Sequence, residues 1–275
     1  MPARGPDAYG ADVPDLPPRA CAGPASDVVS RLRAGGCVFA EEEAELLLDA
    51  AGSAAELDGL VARRVAGEPL EQLLGWAEFC GVRFVVEPGV FVPRRRTRLL
   101  VREAVARAAP GAVVLDLCCG TGAVGAAVAA AVGDVQLHAA DVDPAAVRCA
   151  RRNTAGAVYR GDLYAALPAH LRGRVDVLVA NAPYVPTGAI ALMPPEAREH
   201  EARAALDGGA DGLDVQRRVA AGAPRWLAPG GHLLIETSEA QAPATAAAVT
   251  GAGLQARVIR DEDLDATVVV GTVRT

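Results

Sequence analysis

Apolar and polar residues follow two different rhythms along this chain. From Ser26 to about Leu74, apolar positions recur at three- and four-residue spacings: Val28, Val29 and Leu32, then Ala44, Leu46, Leu47 and Leu48, then Leu57, Leu60, Val61 and Val65. That period predicts a small bundle of amphipathic helices. Ser53 followed by Glu56 has the spacing of a capping box for the last of them. From Ala112 onward, short apolar runs are separated by longer Ala-rich segments. The runs are Val113–Leu117, Val135–Ala140, Val158–Arg160, Val175–Ala180 and His232–Glu236, the last after the turn Pro229-Gly230-Gly231. Strand alternating with helix predicts a doubly wound parallel sheet. Two final runs, Gln255–Arg260 and Thr267–Arg274, are close enough to pair antiparallel, which gives a sheet of about seven strands.

Between the two rhythms lie Phe79–Val86 and Val90–Pro93, separated by Glu87-Pro88-Gly89 and read as a hairpin around a Pro-Gly turn. The expected organisation is a disordered tail over 1–24, rich in Pro, Ala and Gly, and a small helical domain over 25–76. A linking hairpin over 77–98 and a sheet domain over 99–275 complete it. The helical domain serves either as packing support or in partner recognition.

Composition narrows the function. Of 275 residues, 51% are hydrophobic but only 4% aromatic, so the core is aliphatic. All 27 basic residues are arginine, a compositional bias that weakens the run Arg94-Arg95-Arg96-Thr97-Arg98 as a sign of nucleic-acid binding. That run reads as a solvated face, or as a cleft rim that meets an acidic partner. A net charge of −7 and a pI near 5.2 argue against broad phosphate-backbone binding. The six cysteines form no CxxC pair and have no partnered His spacing, so neither a zinc site nor a disulfide framework is expected. No apolar run reaches the ~18 residues of a membrane span, and residues 1–24 lack signal-peptide order. A cytoplasmic location is expected.

Candidate chemistry gathers at the ends of the predicted strands, where open α/β sheets bind ligands. The first strand delivers Asp116 and runs into Cys118-Cys119-Gly120-Thr121-Gly122 before an Ala-rich helix. Glycines there let backbone N–H groups and a helix N-terminus approach a ligand. Gly120-x-Gly122-x-x-Gly125 with Asp141 satisfies the dinucleotide fingerprint, but Asp116 and two cysteines precede Gly120 instead of a glycine closing the strand. That offset favours a nucleoside with a charged amino-acid tail, S-adenosylmethionine, over NAD. Asp116 would face the ammonium and Asp141 the ribose. Asp162 and Leu163 would meet the adenine, Asp162 alternatively being a plain turn residue. Asp143-Pro144 reads as a helix N-cap and first turn. His200 has no metal partner or triad around it and reads as a solvated helix residue.

The fourth strand ends in Asn181-Ala182-Pro183-Tyr184. A planar NH2 group is a poor nucleophile. The Asn181 Oδ1 and the Ala182 carbonyl can each accept one of its protons and fix its plane. Pro183 has no N–H to compete and holds Ala182 extended, and Tyr184 supplies a flat wall. Downstream, Leu206-Asp207-Gly208-Gly209-x-Asp211-Gly212-Leu213 has the Gly and Asp density of a lid or cleft wall.

Taken together, Glu68-Pro69-Leu70, Gly75, Glu78-Phe79, Gly81, Phe84, Pro88-Gly89-Val90, Pro93-Arg94, Asp116-x-x-x-Gly120-Thr121-Gly122, Asp141, Asn181-x-Pro183-Tyr184 and the Leu206–Leu213 segment make the chain resemble the HemK/PrmC family of protein-(glutamine-N5) methyltransferases. The resemblance runs from about residue 27 to the C-terminus. It implies a seven-stranded, Rossmann-like class I fold with a small N-terminal helical domain. It also implies methyl transfer from S-adenosylmethionine, leaving S-adenosylhomocysteine, to a glutamine side-chain amide in the Gly-Gly-Gln loop of a class I peptide chain release factor. By motif matching, Asp116, Cys118, Cys119, Gly120, Thr121, Gly122, Asp141, Asp162, Leu163 and Asn181 would bind the donor, and Asn181 to Tyr184 the glutamine. A monomer holding no nucleic acid stably is expected.

Three positions depart from the family pattern. Cys118 stands for a Gly, Ala182 for the first Pro of Asn-Pro-Pro-Tyr, and Arg96 and Arg98 for acidic residues after the Pro-Arg pair. These mark a divergent branch. Two rivals follow: a methyltransferase of exocyclic base amines in nucleic acid, and a non-catalytic protein that keeps the fold.

Overall fold

The computed structural model describes residues 24–274. The expected tail, 1–24, lies outside the described residues except for Pro24, which opens the first helix. Four helices come first: α1 (Pro24–Ala34), α2 (Ala40–Ala50), α3 (Ala54–Val65) and α4 (Leu70–Leu74). Their apolar stripes meet in a small core of Val28, Leu32, Ala40, Ala44, Leu47 and Val61. The Ser53 side chain accepts from the Glu56 N–H at 3.2 Å, capping α3, while the Glu56 carboxylate reaches back to the Gly52 N–H at 2.9 Å.

The hairpin lies earlier than the Pro-Gly spacing suggests. Strands β1 (Trp76–Phe79) and β2 (Val82–Val85) pair antiparallel around Cys80-Gly81. Both turn residues have positive φ, 52° and 75°, as a two-residue primed turn requires. The Pro88-Gly89 turn does form, closed by the Val90 N–H on the Glu87 carbonyl at 3.1 Å, but 90–93 follow it as irregular chain beside the sheet domain and not as a strand. Asn153 fastens the hairpin by imitating a neighbouring strand. Its Oδ1 accepts from the Val85 N–H at 2.7 Å, and its Nδ2 donates to the Val85 carbonyl at 2.8 Å and to the Thr121 carbonyl at 2.9 Å.

The remaining elements are α5 (Arg98–Val105), β3 (Val113–Leu117), α6 (Ala123–Val132), β4 (Gln136–Asp141), α7 (Pro144–Asn153), β5 (Ala157–Arg160) and β6 (Val175–Ala180). They are followed by α8 (Pro195–His200), α9 (Arg203–Leu206), α10 (Asp214–Gly222), β7 (Leu227–Thr237), α11 (Ala242–Gly251), β8 (Gln255–Asp261) and β9 (Ala266–Thr272). The strands form one seven-stranded sheet in the order β5-β4-β3-β6-β7-β9-β8. It is parallel from β5 to β7, and β9 runs antiparallel between β7 and β8. This is the sheet that the strand-helix rhythm implies.

Strand β7 starts five residues before the expected His232 and carries Pro229-Gly230-Gly231 inside it, where its pairing with β6 shifts register. A bulge tolerates Pro and Gly in a sheet where regular pairing does not. Asp143 caps α7, accepting from the Ala145 N–H at 2.7 Å.

Both faces of the sheet are covered, which is why its strands read as continuous apolar runs. Leu115, Leu117, Leu178, Leu233 and Ile235 face α10 and α11. Val114, Val177, Val179 and Leu234 face α5, α6 and the hairpin's Phe79 and Phe84. Asp116 falls on this second face, directly under α6.

Polar contacts fix the helical domain to the sheet domain. Gln72, 6% exposed, donates to the carbonyls of Val90 and His200, both at 3.2 Å, and accepts from the Gly89 N–H. The Arg64 guanidinium forks onto the Glu43 carboxylate and also reaches the Glu68 carbonyl and the Glu196 carboxylate of α8. Breaking a buried pair from one side leaves the other charge stranded. Arg64→Ala is therefore expected to lower the unfolding free energy by about 3 kcal/mol, read from the denaturant midpoint. A loss below about 1 kcal/mol would show that the pair behaves as a surface contact.

Candidate active site

Strand order reverses between β3 and β6: from β3 the chain passes to β4 on one side, and β6 continues to β7 on the other. The connections leave in opposite directions, so the carboxyl ends of β3 and β6 open onto a crevice. A cavity of about 390 Å³ occupies it, a size suited to one small molecule with part of a second.

Asp116, Cys118, Cys119, Gly120, Thr121, Asp141, Asp162, Leu163, Asn181, Ala182, Pro183 and Tyr184 all border this cavity. Gly122 does not. It sits one step behind the loop as the N-cap of α6, with φ 76° and its Cα against Ala150. A Cβ there would lie 3.1 Å from the Ala150 Cβ, so this glycine serves helix packing.

At the β3 end the backbone and two carboxylates hold each other. Asp116 Oδ2 accepts from the Gly125 N–H at 2.9 Å, in the first turn of α6. Asp141 takes the Gly120 N–H on Oδ2 and the Asp143 N–H on Oδ1, both at 2.9 Å. Burial pushes the Asp116 carboxyl up to about 7, against the pull of the Gly125 N–H and with the help of Asp141's charge. Burial likewise raises Asp141. Two carboxyls so placed favour a ligand that brings positive charge and hydroxyl donors.

Cys118 has φ 57°, a left-handed conformation that costs a residue with a Cβ about 1–2 kcal/mol. Burial holds its thiol far above the ordinary range. It is a neutral wall here. Leu163 is left-handed as well, with φ 49°. Asp162 is exposed and ion-paired with Arg218, so its carboxylate already has a partner at the cavity rim.

At the β6 end, Asn181 is half-buried, and its Nδ2 donates to Thr97 Oγ1 at a long 3.4 Å, leaving Oδ1 toward the cavity. Ala182 borders the cavity while fully buried. Tyr184 is pushed up to about 12 by burial and by the Glu236 charge, so its phenol stays protonated at neutral pH. Facing this end are Phe91, Pro93, Met193, Ala202, Ala205 and Leu206, with Arg94 and Arg96. Arg94 lies over the Phe91 ring and pairs at 2.6 Å with Glu201, whose Oε1 also accepts from the Val92 N–H. Of the arginine run, Arg94 and Arg96 thus reach the cavity, whereas Arg95 and Arg98 are exposed and outside its lining. His200 lies outside it too.

Of the two expectations for the Leu206–Leu213 segment, a lid or a cleft wall, the structure has the wall: Leu206 borders the cavity, and the rest braces the Asn181–Tyr184 loop from behind. Val185 N–H donates to the Leu206 carbonyl, Gly208 N–H to the Val185 carbonyl, and Thr187 N–H to the Gly209 carbonyl. Gln241 donates to the carbonyls of Tyr184 and Asp211 at 2.9 and 3.0 Å, joining both loops to α11. Gly208 is where they cross: a Cβ would lie 2.5 Å from the Gly212 carbonyl oxygen and 2.7 Å from that of Pro183. Thr97, Glu201, Gln241 and Asn153 are not evident from motif reading because each acts on a residue distant in sequence. Only Thr97, three residues after Arg94, lies next to a motif.

Residues 81–209 match the family model described as the methyltransferase small domain. A release factor glutamine methyltransferase from Geobacter sulfurreducens is 43% identical over 189 residues, 67% of this chain and 66% of that protein. One from Mycolicibacterium smegmatis is 40% identical over 215 residues, 76% of each. Among solved structures, a methyltransferase from Pyrococcus furiosus has the same fold, with a TM-score of 0.55 at 16% identity over 78% of this chain and 98% of that one.

Gly208→Ala is expected to displace Pro183 and Tyr184 without touching the β3 end. Turnover of the acceptor should fall by about tenfold or more, while binding at the β3 end, measured calorimetrically, stays within about twofold. Equal losses at both ends would refute a local brace.

Proposed function

This chain belongs to the release factor glutamine methyltransferase family, and from that premise we propose that it methylates the side-chain amide of a glutamine, in the Gly-Gly-Gln loop of a class I peptide chain release factor, using S-adenosylmethionine. One observation carries the reading: a single cavity joins the Asp116–Asp141 end to the Asn181–Tyr184 end. A donor and an amide acceptor can therefore meet inside it.

The residues at the β3 end fit the donor. S-adenosylmethionine, when bound, supplies an electrophilic methyl on a sulfonium, and it carries an ammonium, a carboxylate and ribose hydroxyls. Asp116 would take the ammonium or a water bound to it, and Asp141 the ribose, with the 118–121 backbone against the tail. Leu163 would cover the adenine, and Asp162 would reach its amino group only by sharing its bond to Arg218. The product, S-adenosylhomocysteine, would occupy the same residues.

At the other end Asn181 Oδ1 accepts one amide N–H, and the Ala182 carbonyl accepts the second on the buried floor of the site. Tyr184 packs against the amide plane, and Phe91, Pro93 and Met193 exclude water. The cavity lining contains no histidine, and the Tyr184 phenol stays protonated. The residues thus orient the nitrogen, and its proton leaves after the sulfonium has been attacked, as the methylated amide is released, so that no strong base is required. The helical domain, tied to the acceptor wall through Gln72 and Arg64, would hold the protein substrate. No helix among the described residues is long and apolar enough to cross a membrane. Action on a translation factor places the reaction in the cytoplasm, and the chain is proposed to work as a monomer.

Labelled methyl transfer to purified release factor, and to a variant whose Gly-Gly-Gln glutamine is changed, tests the reaction. Label on the first and not the second is expected. Label on RNA or DNA instead would favour a base-amine methyltransferase, and failure of a folded sample to bind the donor would favour a non-catalytic protein. Asn181→Ala is expected to lower kcat by roughly 10²–10³ with donor affinity kept. Near-normal turnover would remove Asn181 from its role.

Donor affinity should also depend on pH. A cation beside Asp116 favours the ionised carboxylate, whose free-state pKa is about 7. Below that value binding must expel a proton, so Kd is expected to rise by about tenfold per pH unit and to be flat above it. Asp116→Asn should abolish the slope in a calorimetric titration. A slope unchanged in the variant would assign it to another group.

A further inference from the structure

Glu236 lies at the carboxyl end of β7. In the parallel register Ala180 pairs with Ile235, so Glu236 stands level with Asn181 on the neighbouring strand. It is 2% exposed, and its Oε2 has no hydrogen-bond partner. A buried carboxylate oxygen without a partner is costly, and Glu236 directly follows the buried apolar run Leu233–Ile235. It does not border the cavity. The hydroxyl of Thr97, 1% exposed, interacts with the Glu236 carboxyl group. Thr97 is also the group that receives Asn181 Nδ2, and it does border the cavity.

A threonine hydroxyl has one proton and can accept from others. When Glu236 is ionised it can only accept, so the Thr97 proton points to it and Thr97 can only accept from Asn181. The Asn181 amide must then present Nδ2 to Thr97 and Oδ1 to the cavity. When Glu236 is protonated it can donate to Thr97. The Thr97 proton is then free to turn to Asn181, which is drawn to present Oδ1 to Thr97 and its NH2 to the cavity. Two NH2 groups would then face each other, and the acceptor amide loses its hydrogen bond.

We propose that Glu236 is a positioning residue for methyl transfer, which sets the direction of the Asn181 amide through the hydroxyl of Thr97. This rests on the acceptor role given to Asn181 above. The charged and titratable groups that face Glu236 are Arg96, which favours its ionised form, and Tyr184, which stays neutral. Burial raises the Glu236 carboxyl to about 7, against Thr97 and Arg96. The relay therefore changes state near neutral pH, and its productive state is the alkaline one.

The test uses the full chain at saturating donor, which removes the Asp116 contribution from kcat. In wild type, kcat is expected to rise about tenfold from pH 6 to pH 8, with a midpoint near 7. Glu236→Gln should flatten that limb, because an amide has no proton to lose in this range. Thr97→Val, nearly isosteric, should lower kcat by tenfold or more at pH 8 with donor Kd within twofold, and Thr97→Ser should recover at least a third of the activity. A second readout needs no acceptor: the side-chain NH2 resonances of Asn181 should titrate near pH 7 in wild type and not in Glu236→Gln. If release factor is not methylated by wild type while these resonances behave as stated, the proposed substrate fails and the relay stands. The relay is overturned if the resonances do not titrate, if Glu236→Gln keeps the limb, or if Thr97→Val stays within twofold of wild type. It is also overturned if Thr97→Ser is as impaired as Thr97→Val, since the hydroxyl would then not matter.

Discussion

Parallel pairing of β3 with β6 is the constraint on which the rest of this structure depends. Their connections depart in opposite directions, so no helix covers the carboxyl ends of both strands, and in the crevice left there two loops distant in sequence end side by side. One loop carries Asp116 one residue inside its strand and the glycines just beyond it. The other carries Asn181 at its first position. Neither loop makes a site alone. The register Leu117 to Ala180 brings them level.

Buried polar groups then fix what the crevice can do. Asp116 and Asp141 are held by backbone N–H groups, yet burial still favours their neutral forms. The cationic donor proposed above would reverse that preference. The acceptor end has a different solution: backbone bonds from the 206–212 brace and the Gln241 side chain set the loop, and Thr97 sets Asn181. In the proposed reaction the two ends differ because one must stabilise charge and the other must only hold a neutral amide in plane.

The departures from the family pattern are accommodated locally. Cys118 takes up a left-handed conformation that glycine would adopt freely, and its thiol is buried and neutral. Ala182 is fully buried at the cavity, and the Pro183 that follows disfavours a helical backbone there. Of the arginines that stand for acids, Arg96 lies close to Tyr184 and Glu236, where it offsets a buried carboxylate, and Arg98 begins α5 in solvent.

Much of this was legible in the chain itself. Apolar runs covered on both faces gave the strands nearly to the residue, Val113–Leu117 and Val175–Ala180 among them, because a buried parallel strand tolerates few polar side chains. Asp116, Asp141 and Asn181 stood out because a polar residue at the end of such a run is costly without a purpose. What failed was geometry that depends on partners. The hairpin turned at Cys80-Gly81 because the φ signs, and not the Pro-Gly pair, match the strand twist, and β7 ran through Pro229 as a bulge. The Leu206–Leu213 segment braces the loop because its N–H and C=O groups pair with Val185 and Thr187, which no local pattern records. Gly122, Thr97 and Glu236 acquired their places only in the folded chain. Local pattern determines which residues are buried and at which strand end they emerge; which of them then touch is decided by the packing of segments tens of residues apart.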